Sequence, residues 1–114
     1  MPQDPQRQSL ADAVTALDTA MQQLMQASRA ATDPAVMTAI SDEHDKLEIT
    51  LDQLLNAQAL ADDAAFAAAT AALKQKAADL QKEEATIKQI IKDVALAAKI
   101  VGGLASAAAF LLKL

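Results

Sequence analysis

The chain has no cysteine, tryptophan or tyrosine, and only two glycines, three prolines and two phenylalanines in 114 residues. Without cysteine there is no disulfide and no thiolate metal site. With so few glycines and prolines, turns must be few. With aromatic residues at 2%, a β-sheet has little to build on. These shortages predict an all-α protein of one domain. The opening stretch "MPQDPQRQSLADA" lacks the apolar run of a signal peptide, which makes the expected location cytoplasmic.

Alanine and leucine supply most of the 53% hydrophobic content. The net charge of −5 is unevenly spread. Residues 1–73 hold three basic residues (Arg7, Arg29, Lys46) against eleven acids, a balance of −8. Residues 74–114 hold seven lysines against four acids, a balance of +3. An acidic front, and a basic back without arginine or a basic–aromatic patch, argue against nucleic acid as a partner.

Pro2 and Pro5 predict a loose arm over residues 1–8. Ser9, with Asp12 three residues on, reads as a capped helix start. From there Leu10, Val14, Leu17, Met21, Leu24, Ser28 and Ala31 alternate spacings of four and three, a heptad seam on a first helix. "TDPAV" ends that helix, with Asp33 as cap and Pro34 at the first position of a second. The second seam is Met37, Ile40, His44, Leu47, Leu51 and Leu54, running to about Asn56. Met21, Met25 and Met37 read as gap-fillers in the core.

"NAQALADD" predicts a short connection with Asp62 or Asp63 as cap. Beyond it Phe66, Leu73, Leu80, Ile87, Val94, Val101 and Ala108 recur every seven residues, with no glycine or proline before Gly102. One continuous third helix is the simplest expectation, about 75 Å long if it runs from Ala64 to the end. The first two helices reach only about 33–36 Å. The domain plan is therefore a 1–8 arm, a 9–86 bundle, and an 87–114 apolar helix continuous with the third. Either that helix breaks at Gly102–Gly103 or its far half needs another surface.

The tail "KDVALAAKIVGGLASAAAFLLKL" has no acid past Asp93. On a helical wheel Lys88, Lys92, Lys99 and Lys113 share a stripe about 60° wide. Ile90, Val94, Val101, Leu104, Ala108, Leu111 and Leu112 carry the opposite, apolar side, and with Gly102 and Gly103 they form the predicted interaction set. The run uninterrupted by charge, Ile100–Leu112, is about 20 Å, short of the roughly 30 Å of a bilayer core. Two placements fit better than a span. One is a helix lying in an anionic interface, its four lysines at the headgroups. The other is a helix packed by neighbours with its lysines at the solvent edge. Small residues at a spacing of four (Ala98, Gly102, Ser106; and Gly103, Ala107) would let another helix backbone approach closely.

Catalytic and metal motifs are missing. His44 is the only histidine and has Ser41, not an acid, three residues before it, so the Glu-x-x-His pair of helical di-metal sites is absent. There is no second histidine, nucleophile elbow or phosphate loop. His44 reads as a polar residue in a core seam. The expectation is a non-enzymatic protein without metal or cofactor. It would bind a membrane surface, itself or another helical protein through its C-terminal helix, in the cytoplasm or at the periphery of a membrane.

Overall fold

Three aspartates start helices in this chain. The computed structural model describes residues 4–114, with Asp4 placed by its backbone. It contains α1 (Asp4–Ala30), α2 (Pro34–Gln58), α3 (Asp63–Leu73), α4 (Lys76–Ile90) and α5 (Val94–Leu112), and no strand among the described residues. The Asp33 carboxylate accepts the Ala35 N–H at 2.9 Å, Asp62 that of Ala65 at 2.8 Å, and Asp93 that of Leu96 at 3.1 Å. Each thus satisfies a donor that the first helical turn leaves unpaired.

The beginning of α1 differs from expectation. Helix already covers residues 4–8, with Pro5 in the first turn, where a missing N–H costs little. Ser9 is therefore inside a helix and not its cap. The rest of the expected arm, residues 1–3, lies outside the described residues.

The continuous third helix is also corrected, in two places. At Lys74–Gln75 the backbone stays close to helical and Lys74 N–H still bonds to Thr70 O at 3.1 Å. There α3 and α4 are one rod with a local distortion. At Ile91–Asp93 the chain leaves the helix, with Ile91 extended and Asp93 capping the next one. The seven-residue recurrence ends there. Phe66, Leu73, Leu80 and Ile87 are buried, whereas Val94 is 81% exposed. Past the corner the buried set is Ala97, Ile100, Leu104, Ala107, Ala108 and Leu111.

Contacts at the two ends fix the direction of the rods. The α1–α2 corner and the α4–α5 corner line one cavity. At the other end Gln6 donates to the main-chain oxygen of Leu114 at 2.7 Å. Arg7 donates to Leu60 O at 2.9 Å and lies 4.0 Å from the centre of the Phe66 ring. Successive rods therefore alternate in direction. The strongest contacts run from α5 to α1 and α4 and from α1 to α2, while α2 touches α3 and α4 only lightly. The whole measures 49 × 20 × 19 Å.

Gly102–Gly103 does not break α5. A Cβ on Gly103 would lie 2.9 Å from the Ala20 Cβ and 3.4 Å from Ala16 O, so glycine here lets α5 approach α1. A Cβ on Gly102 would meet nothing within 4 Å. Gly103→Val should cost about 1–3 kcal/mol by overpacking. Gly102→Ala should stabilise by about 0.5–1 kcal/mol through helix propensity. Denaturant unfolding of the two variants should move in opposite directions, and parallel shifts would contradict this packing.

Candidate functional site

The predicted interaction arc is split by the corner at Ile91–Asp93. Leu104, Ala108 and Leu111 point into the core and are buried against the neighbouring rods. Gly103 sits on α1, and Val101 is half-buried. Ile90 closes α4 and lines the end cavity. Only Val94, Gly102 and Leu112 (58% exposed) face outward. Thus much of the arc is covered from within the chain. The premise that two short helices leave it bare fails, because the third rod folds back and supplies the missing cover.

The four lysines are all exposed. Lys88 lies in the last turn of α4, Lys92 in the corner, and Lys99 and Lys113 belong to the α5 segment. Lys113 Nζ lies 5.2 Å from the centre of the Phe110 ring, a cation–π arrangement. The stripe drawn on one continuous helix is broken: Lys88, Lys92 and Lys99 lie toward the corner, and Lys113 at the far end of α5.

Beside Lys92 is an end cavity of about 190 Å³. Ala27, Ala31, Val36, Ile40, Ile90, Ile91 and Leu96 line it, with Thr32, Asp33 and Asp93 among the polar residues around them. The aspartates are occupied in capping α2 and α5, which leaves an apolar recess with little polar grip.

The outward side of α5 is the least charged surface among the helices. Ala95, Ala98, Gly102, Ala105, Ser106 and Ala109 are exposed, and Lys99 is the one charge between Val94 and Leu112. The helix has 19 residues and is long and apolar enough to cross a membrane, with 33% of the relevant stretch buried inside the protein. The two lines of small residues have separate fates. Gly103 and Ala107 are taken up in the bundle. Ala98, Gly102 and Ser106 remain on the outside.

On α2 the buried positions are Ile40, Glu43, Leu47, Thr50, Leu54 and Ala57. Relative to the expected seam, Glu43 and Thr50 replace His44 and Leu51. His44 is half-buried, with Nδ1 3.9 Å from the Glu48 carboxylate. His44, Asp45 and Glu48 bring their ligand atoms within 4.8 Å of one another on the outer side of the helix, where Asp45 and Glu48 are exposed. Sequence reasoning missed Glu43, which is only 2% exposed with Oε1 unbonded. Gln23 Oε1 and Glu83 Oε2 are likewise buried and unbonded, and burial raises the Glu83 carboxyl above its ordinary range. The available signal was the three–four spacing Ile40–Glu43–Leu47–Thr50–Leu54, as regular as the seam that includes His44. Hydrophobicity alone favoured the latter.

Comparison of the chain with protein-family models, curated proteins and solved structures gave no match.

Two outcomes follow for stability. Removing residues 91–114 should unfold the remaining helices, because Ile100, Leu104, Ala107 and Leu111 supply core for α1 and α4. Circular dichroism of the shortened chain should show most helicity lost at 25 °C. A cooperative, fully helical remnant would contradict this. His44→Leu should change stability by no more than about 1 kcal/mol, since the imidazole is outside the core and its 3.9 Å contact with Glu48 is half-solvated.

Proposed function

We propose that this chain is a non-enzymatic helical interaction protein whose working element is α5, an apolar helix held in the bundle and offered to an anionic membrane surface. The carrying observation is the outer side of α5. A bundle helix facing water normally carries charge there. This one carries alanine, glycine and serine with Lys99 alone between Val94 and Leu112. Lys88, Lys92 and Lys113 extend the basic character toward its two ends. Val94 and Leu112 supply exposed apolar anchors, and the Lys113 ammonium lies over the Phe110 ring. Such a helix lies in an interface with its apolar side in the acyl boundary and its lysines at anionic headgroups. A protein acting this way works in the cytoplasm and at the periphery of a membrane.

A second reading has its own support. The outer line Ala98–Gly102–Ser106 is flat and small, a surface on which another helix can pack closely. In that reading the partner is a second copy or another helical protein, and lipid plays no part. The alternating three–four spacing of buried residues in α1 and α2 supports heptad packing of the coiled-coil type within the bundle, and such packing could extend across a self-association interface.

Sedimentation with anionic and with zwitterionic vesicles, beside mass determination in solution, separates the readings. The expected result is salt-sensitive binding to anionic vesicles only. Lys92→Gln with Lys99→Gln should weaken it by about 1 kcal/mol per lysine, and each of these residues is exposed so that the fold is spared. A stable oligomer without lipid affinity, disrupted by Gly102→Asp, would replace the membrane reading by the second. A monomer without lipid affinity would overturn the membrane reading and self-association, and would leave a different helical protein as the partner.

A further inference from the structure

Val36 of α2 and Ile90 of α4 line the end cavity together. Two helical turns deeper, about 10 Å along each rod, the same faces carry Glu43 and Glu83. The rods run in opposite directions, so stepping from Val36 to Glu43 and from Ile90 to Glu83 moves both away from the same end. The two carboxyls therefore occupy one level of the α2–α4 seam. Glu43 is 2% exposed and Glu83 half-buried, and each has a buried oxygen bonded to nothing.

Among the described residues no basic group pairs with them. On α2, His44 points to the other flank toward Glu48, and Lys46 is exposed. On α4, Lys76 pairs with Asp79 at 3.7 Å two turns away, Lys82 and Lys88 are exposed, and Glu84 adds a further carboxyl. From α5 the basic groups are Lys92 at the corner and Lys99, both exposed. From α1 they are Arg29, exposed near its end, and Arg7, held at the far end by Leu60 and Phe66. The start of α3, with Asp63, is also at that far end. Among the described residues neither Glu43 nor Glu83 forms an ion pair.

We propose that Glu43 and Glu83 are a proton-operated latch across the α2–α4 seam. Protonated, they let the seam close. Ionised, with their protons lost to solvent on the half-open Glu83 side, they become unpaired charges in a buried seam and drive α2 off α4. Three features make this seam the one that yields. It holds the acid pair, it has lighter contacts than the α1–α5 and α4–α5 seams, and its polar Thr50 adds little apolar adhesion. The latch is independent of whether α5 meets lipid or protein.

The direction of the pH dependence is fixed by burial. A glutamate whose folded value is raised contributes stability that is complete below its unfolded value. That contribution is lost as pH rises through the folded one. The seam should therefore be firmer near pH 5 than near pH 8. Hydrogen exchange read by mass spectrometry tests this, with α1 as internal reference to cancel the intrinsic pH dependence. Protection of α2 relative to α1 should fall between pH 5 and pH 8, about tenfold for each unit by which the folded value lies above 5. In the double variant Glu43→Gln, Glu83→Gln the ratio should stay constant. A constant ratio in the native chain would overturn the latch. So would an undiminished fall in the double variant, which would assign the effect to the exposed acids of α2. Should the double variant not fold, Glu83→Gln alone carries the test. It must reduce the fall and raise the denaturant midpoint at pH 8, and no change in either overturns the proposal.

Discussion

The reversal at Ile91–Asp93 is the constraint on which the remaining architecture depends. Without it α5 would continue α4 into water, and an acid-free helix would have no cover. With it α5 lies between α1 and α4, and the side chains of Ile100, Leu104 and Leu111 are fully buried. Burial of each such side chain is worth about 1.5–3 kcal/mol. That gain far exceeds the contribution of one capping hydrogen bond, about 1 kcal/mol. The Asp93 cap thus sets where the chain turns, and apolar burial holds it turned. The composition of α1 follows from the same event. Where it meets Gly103 its flank is Ala16 and Ala20, because α5 can come this close only to small residues.

The all-helical class, the corner at Asp33–Pro34 and the start near Asp62 were legible, since each has local chemistry that few alternatives satisfy. The corner at Asp93 has the same cap but no proline, glycine or polar linker. The repeat from Phe66 to Ile87 happens to continue in phase through Val94, Val101 and Ala108. A periodicity argument has no means of registering a turn across which the apolar spacing continues in the sequence while the buried set changes. The glycines, which do suggest a break, answer a tertiary demand at 103, and at 102 open space. Within α1 and α2 the buried face was legible to within one residue of rotation. Each helix has neighbours on two sides, so its contact arc is wider than one seam, and which second stripe is buried depends on neighbours that the local sequence does not specify. That is why His44 and Leu51 were favoured over Glu43 and Thr50. Of the candidate site, the lysines and outer small residues were legible, but the burial of Leu104, Ala108 and Leu111 inside the same chain was not.

The two sides of the bundle are built on opposite principles. On the α1–α5 side, glycine and alanine bring backbones together, and dispersion contacts accumulate over a long interface. On the α2–α4 side, Glu43, Thr50 and Glu83 fill positions that leucine would fill in a bundle selected for stability alone. An unpaired carboxyl in such a place costs free energy, and the contacts there are light. The core is consequently polarised, with one seam close-packed and one seam conditional.

That polarity bears on how α5 could act. Its inner residues cannot leave the core while all four rods are in place, and its partners α1 and α4 grip it more strongly than anything holds α2 to α4. Any movement that starts at the weakest contact must therefore begin with α2, leaving α1, α5 and α4 associated. The first apolar surface to appear would include the buried stripe of α2, with Ile40, Leu47 and Leu54. The outer side of α5 needs no opening at all, since Ala98, Gly102 and Leu112 are already exposed. Contact through the outer side of α5 and opening of the α2–α4 seam are thus physically separable events. A surface that engages α5 need not unfold the protein to do so, and a change of charge in the conditional seam enlarges the apolar area available after contact is made.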